Sequence, residues 1–220
     1  MPLHRQQFDT ALEELRNELI DMGKKVEEAI IESVESLRTN DLDRANRVIE
    51  QDIELNRMEE KIAEMGSSLI ALQQPVAKDL RRILIAFKMA SDLERMGDLA
   101  VDIAKTVRRI NGEQLVKPLV DIPRMAEIVQ LMTSDSLRAY IEENVDLAYK
   151  MAKMDDEVDH LHAQILRELF VFMMENPKTV NQSLLLCFVS RYLERMADHA
   201  TNIGESVVYL VMGQRPDLNQ

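Results

Sequence analysis

From Phe8 onward the apolar residues Leu12, Leu15, Leu19, Met22, Val26 and Ala29 recur by alternating threes and fours. That period is the stripe of a helix packed in a bundle, and it predicts a first helix ending near Arg38. Asn40 and Asp41 supply a turn, after which Leu55, Met58, Ile62, Met65 and Leu69 set the inner face of a second helix. Pro75 fits the first turn of a third, expected to run to about Asn111, where Gly112 can take the left-handed conformation that closes a helix. Only six glycines and six prolines punctuate the chain, which leaves room for long helices and little for sheet. The fold class is therefore all-α.

The same grammar then repeats. Asp121 and Pro123 open a fourth helix, Asn144 and Asp146 make the turn into a fifth, and Asn176-Pro177 starts a sixth. Leu93-Glu94-Arg95-Met96-Gly97-Asp98 reappears one hundred residues later as Leu193-Glu194-Arg195-Met196-Ala197-Asp198, followed by Ala100 with Ala200, Ile103 with Ile203 and Val107 with Val207. A second match, offset by 103, pairs Asp52, Glu54 and Ile62 with Asp155, Glu157 and Ile165. The expected organisation is two tandem homologous three-helix bundles, residues 1–115 and 121–214, joined by the proline-bearing stretch 117–123.

Charge narrows the choice of partner. A formal net charge of -12, from 39 acidic against 27 basic residues, opposes the phosphate neutralisation that non-specific nucleic-acid binding needs, so cations or basic protein surfaces are the expected partners. Cys187 is the only cysteine and sits in an apolar run, so it forms no disulfide within the chain and reads as core. The amino-terminal residues carry no apolar signal core and no apolar run nears the ~20 residues of a spanning helix, which predicts a cytoplasmic protein.

Candidate chemistry lies in the acids. Glu94, Asp98 and Asp102 are spaced by fours, so on a helix each lies ~40° round and ~6 Å along from the last. Carboxylates at that spacing repel by roughly 0.7 kcal/mol in water and ~3 kcal/mol at an effective dielectric of 20. A multivalent cation held by hard oxygen ligands would offset this. Glu194, Asp198 and Asn202 repeat the arrangement with one amide. The second helix offers Asp52, Asn56 and Glu59, and the fifth offers Asp155, Asp159 and His162 at the corresponding places. If consecutive helices pack antiparallel, the stripes converge into one metal site in each half. The imidazole suits the second to zinc or iron, while the first suits manganese, magnesium or iron.

With 39 acids in 220 positions, roughly seven acid-x-x-x-acid pairs arise by chance, so a single pair reads as a solvated face. Recurrence at matched positions of a duplication is what favours metal, as divalent or trivalent ions bound singly or in clusters. His199 stands beside Asp198 and either joins the second site or packs elsewhere. The 14 methionines fall mostly on inner stripes and read as core. Gly97 is costly inside a helix and is expected to permit close approach of a neighbour. Two rival readings remain open: a di-iron carboxylate or ferritin-like protein, whose Glu-x-x-His signature occurs only once, at Glu157 to His160, and a metal-free helical scaffold.

The duplicated Leu-Glu-Arg-Met-x-Asp cores, the segment Gln74-Pro75-Val76-Ala77-Lys78-Asp79-Leu80-Arg81 and the two-by-three helix plan together resemble the PhoU family of phosphate-uptake regulators over nearly the whole chain. The family's metal motif lands on Glu94 with Asp98 and on Glu194 with Asp198, extending to Asp102 in the first copy and departing from it at Asn202 in the second. The resemblance implies a non-enzymatic cytoplasmic regulator, often a homodimer. It would couple a phosphate ABC transporter ATPase to a sensor histidine kinase and repress the phosphate-starvation response when phosphate is plentiful. The residues themselves are compatible with this, since there is no phosphate-cradling glycine loop and no nucleophile with a partnered base.

Overall fold

The long periodic segments fold as helices because their apolar stripes leave no other way to remove so much surface from water. The computed structural model describes residues 2–214 and 216–218. Among these are seven α-helices and one 3-10 turn, with no strand: α1 (Pro2–Thr39), α2 (Leu42–Gln73), α3 (Ala77–Ile110), α4 (Asp121–Glu142), α5 (Val145–Ala152), α6 (Asp155–Glu175), the 3-10 turn Pro177–Thr179 and α7 (Val180–Met212).

Turn chemistry sets the ends. Asn40 takes a left-handed φ of 54°, and the Asp41 side chain caps α2 by accepting from the Arg44 N–H at 2.9 Å. The second half does the same with Glu143 at a φ of 49° and Asn144 accepting from the Leu147 N–H at 3.0 Å. In each case a side-chain oxygen satisfies an otherwise orphaned amide of the first turn. Gly112 takes the expected left-handed conformation at a φ of 79°, and Asn111, at 50°, is left-handed as well and supplies the cap of α3.

Two expectations need correction. The third helix begins at Ala77, because Ala77 has a φ of 51° and breaks helical continuity with Pro75. The fifth helix is in fact two: at Lys153 and Met154 the chain tightens, with the Met154 N–H donating to the Met151 carbonyl at 2.9 Å, three residues back rather than four. This tightening gives α6 its own amino terminus, carrying Asp155, Asp156 and Glu157 in its first turn, where the partial positive charge of the helix end favours them.

Leu15, Leu19, Met22, Val26 and Ile30 of α1, Ile62 of α2, and Met89, Leu93, Met96 and Ile103 of α3 are all buried. Their counterparts Val158 and Ile165 of α6 and Leu193, Met196 and Ile203 of α7 join them in one hydrophobic cluster. The two third helices, α3 and α7, pack against each other, as do α1 and α4, so the halves share a core. Buried Met22, Met89, Met96, Met125, Met132, Met151 and Met196 fill it, while Cys187 packs partly buried against its edge.

Candidate metal centres

The residues singled out by spacing fall on facing helices. In the first half α2 and α3 pack together, and Gly97 lies where they come closest: a Cβ there would stand 2.6 Å from the Leu55 Cδ1 and 3.9 Å from the Asp52 Oδ1. The missing methyl lets α2 bring Asp52 up to the acids of α3. Burial first and the Asp98 charge second raise the pKa of Asp52, against the pull of the Asn56 amide, which donates to it at 3.3 Å, and of Lys105; the Asp102 charge adds to the rise. Glu94 is raised likewise, by burial and then Asp98, with Glu59 and Asp52 adding to it and Arg95 opposing. Asp52, Glu59, Glu94, Asp98 and Asp102 therefore form one mutually repelling group. Arg95 screens it from outside, contacting Asp98 at 3.0 Å and Glu94 at 3.5 Å, and Lys105 holds Asp102 at 3.2 Å.

The second half is more strained. Asp155 is pushed up to about 7, by burial and then by Asp198, Asp159, Glu194 and Asp156. Glu194 and Asp198 are both raised, again mainly by burial, with Asp198 acting on Glu194 and Asp159 on both. Two oxygens, Asp155 Oδ1 and Glu194 Oε2, are buried with no hydrogen-bond partner. An orphaned buried carboxylate oxygen is costly, and two aimed into one acidic group mark a place where a cation would lower the energy.

His162 supplies the nitrogen. Its Nδ1 lies 2.9 Å from Ser190 Oγ, whose own proton goes to the Cys187 carbonyl at 2.9 Å. Ser190 can then only accept, so Nδ1 carries the proton and Nε2 keeps its lone pair, the tautomer a metal ligand requires. Burial, followed by the Arg191 charge, lowers the His162 pKa despite Asp159, keeping the ring neutral.

Asn202 departs from its expected place. Its amide donates to Asp92 Oδ1 at 3.3 Å, and His199 Nδ1 meets the same oxygen at 2.9 Å, so both side chains reach across to α3 instead of toward α6. Asp92 is 7% exposed and its other oxygen has no partner. The sequence reading missed this acid, although it interrupts a buried stripe formed by Ile85, Met89, Met96 and Leu99, the sort of break that signals a polar link between helices. Asp102 shows the related behaviour on the other side, raising the pKa of Tyr192 on α7 after burial has done most of it.

The family model for the PhoU domain matches the chain twice, over residues 19–107 and 122–207. The chain belongs to the PhoU domain family. It is 44% identical to a phosphate-specific transport system accessory protein PhoU homolog of Clostridium acetobutylicum, covering 98% of this chain and 99% of that one. It is 34% identical to the PhoU accessory protein of Escherichia coli over 94% and 86%. The crystal structure of PhoU from Pseudomonas aeruginosa superposes with a TM-score of 0.90 at 36% identity, covering 94% of this chain and all of that chain.

The donor chemistry in both halves suits the metal that PhoU resemblance implies, and the orphaned oxygens single out the second half. Among the described residues no three His, Cys, Asp or Glu side chains are already drawn tightly enough together to hold an ion. The Glu-x-x-His signature faces away from the core, with Glu157 exposed and paired to Arg124 at 2.6 Å and His160 exposed.

Proposed function

We propose that this protein is a non-enzymatic, cytoplasmic regulator of phosphate uptake that represses the phosphate-starvation response. It would do so by linking a phosphate ABC transporter ATPase to a sensor histidine kinase, and would work as a homodimer. The observation that carries the proposal is full-length similarity to proteins named as accessory proteins of phosphate-specific transport systems. Two features support it: no helix of the described residues is long and apolar enough to cross a membrane, and the net charge of -12 favours basic protein surfaces over nucleic acid. Any membrane association would then come through its partners.

Metal binding is part of the same reading. Asp52, Asn56, Glu59, Glu94, Asp98 and Asp102 would hold the first ion or cluster, and Asp155, Asp159, His162, Glu194 and Asp198 the second. Iron, manganese and magnesium suit the all-oxygen set, and zinc or iron the set with the imidazole. The ion would neutralise the carboxylates and displace Arg95 and Arg191 outward, leaving two guanidinium groups free on the surface of α3 and α7.

A deletion strain tests the regulatory role: phosphate-starvation genes are expected to be expressed in phosphate-rich medium, and normal repression there refutes it. Pull-down under high phosphate should recover the ATPase or the kinase. For metal, elemental analysis of purified protein should show content that falls in a Glu94→Ala, Asp98→Ala variant and separately in a Glu194→Ala, Asp198→Ala variant; unchanged content removes the corresponding site.

A further inference from the structure

The pairing of α3 with α7 has two sides, and the hundred-residue offset of the duplication exchanges them. On one side Asp92 takes the Asn202 amide at 3.3 Å; on the other, the duplicate positions bring Tyr192 within reach of the Asp102 charge. The first side continues as a groove lined by Leu84, Lys88, Glu205 and Tyr209, where Lys88 meets Glu205 at 4.0 Å and the charges cancel. At the duplicate positions the second side has Leu184, Phe188, Lys105 and Arg109, a ring in place of Lys88 and a cation in place of Glu205. Phe188 stacks on Tyr192 with centroids 6.4 Å apart. After burial, the influences on Tyr192 are the charges of Asp102, Arg109, Lys105 and Arg195, so rings and cations share one face. Lys105 is taken by Asp102 at 3.2 Å, while among the described residues no carboxylate pairs with Arg109 or Arg195. Arg109 suits the negative end of α3, but a helix end does not account for Leu184 and Phe188 beside it, 43% and 52% exposed.

We infer that this face takes an acidic segment of a partner protein, with carboxylates on Arg109 and Arg195 and an apolar side chain against Leu184 and Phe188. This rests on the adapter role proposed above and not on its metal chemistry. Aromatic rings with arginine are the composition of binding hot spots, and a guanidinium grips a carboxylate through two parallel hydrogen bonds. Phe188 is already held by its stack and loses little freedom on binding. Size selects a segment over a broad surface. At roughly 200 Å² for a fully exposed large side chain, Leu184 and Phe188 together offer on the order of 200 Å² of apolar area. That anchors one or two side chains and is too little for the apolar centre of a standard interface. Charge selects likewise. An extended anionic surface would face the whole chain at -12, whereas a narrow segment meets the local cations and is screened from the rest beyond ~8 Å.

The test measures binding of the full chain to the purified transporter ATPase, to the detergent-solubilised kinase, and to synthetic peptides tiling the acidic stretches of both. At least one peptide carrying carboxylates beside an aliphatic or aromatic residue should bind and displace its parent protein. Arg109→Glu and, separately, Phe188→Ala should each weaken that binding at least ~10-fold with an unchanged helical spectrum, whereas Leu84→Ala, at the duplicate position, should leave it unaltered. Raising salt from ~0.05 to ~0.5 M should weaken the wild type more than Arg109→Glu. Equal binding by the wild type and both patch variants, or the absence of any acidic peptide that binds, overturns this face while the adapter role stands. So does loss in Arg109→Glu of binding to phosphatidylglycerol vesicles, or of sedimenting mass, since either gives the face another occupant. A wild type that binds neither protein overturns the adapter role and this inference with it.

Discussion

Asp155 gives the sharpest handle on the acidic groups. In metal-free protein its carboxyl is held near pKa 7 against ~3.9 in an unfolded chain. Between about pH 4 and pH 7 the folded state therefore binds more protons than the unfolded one, and stability falls as pH rises through that window before levelling off. A shift of this size corresponds to ~4 kcal/mol at the limit, and since the side chain is only half-buried, solvent screening reduces it to ~1–2 kcal/mol. Asp155→Asn removes the charge while keeping the shape. In EDTA-treated protein the variant should be more stable than wild type by ~1–2 kcal/mol at pH 8, with the gap narrowing toward pH 5. Taking the difference between the two curves cancels the other groups that titrate nearby, including His162, whose lowered pKa acts with the opposite sign. Urea denaturation followed by circular dichroism from pH 5 to 8 measures this. With manganese or zinc added the order should reverse, because the wild type gains binding energy that the variant forfeits. A metal-free variant no more stable than wild type at pH 8 would refute the idea that uncompensated negative charge is concentrated at this place.

Gly97→Ala separates helix propensity from close packing. An unhindered position would gain up to ~1 kcal/mol, whereas the overlap with Leu55 predicts a net loss of ~1–2 kcal/mol by chemical denaturation, and a gain in stability would contradict the close approach. Asp41→Ala and Asn144→Ala should each lower stability by ~1 kcal/mol in the same assay, through loss of the caps on α2 and α5. Asp92→Ala leaves the partly buried His199 and Asn202 donors without their shared acceptor and should cost ~1–3 kcal/mol; no change in melting would show that the link between α3 and α7 carries no energy.

Helix identity was legible because side chains spaced by threes and fours share a face whatever lies around them. The stripes from Leu12 to Ala29 and from Leu55 to Leu69, and the duplicated core at Leu93 and Leu193, needed no partner to be read. The turns at Asn40-Asp41 and Asn144 were equally local, each depending on one short side chain and the first turn it caps. Sequence also placed Glu94 with Asp98 and Glu194 with Asp198 on common faces, since that too follows from helical pitch alone.

Which face meets which neighbour was not available at that level. Asn202 stands four residues beyond Asp198, yet it turns to Asp92, because α7 lies between α6 on one side and α3 on the other and a small step round the helix changes the partner. The break at Lys153 and Met154, the pairing of α3 with α7 and the burial of Asp92 all depend on how the halves share one core. Local periodicity fixes the direction of a side chain relative to its own helix axis, so the chain by itself determined the rods, their caps and their acidic stripes. Packing then decided which stripes were brought together and deprived of water, and only that desolvation turns neighbouring carboxylates into a place for a cation.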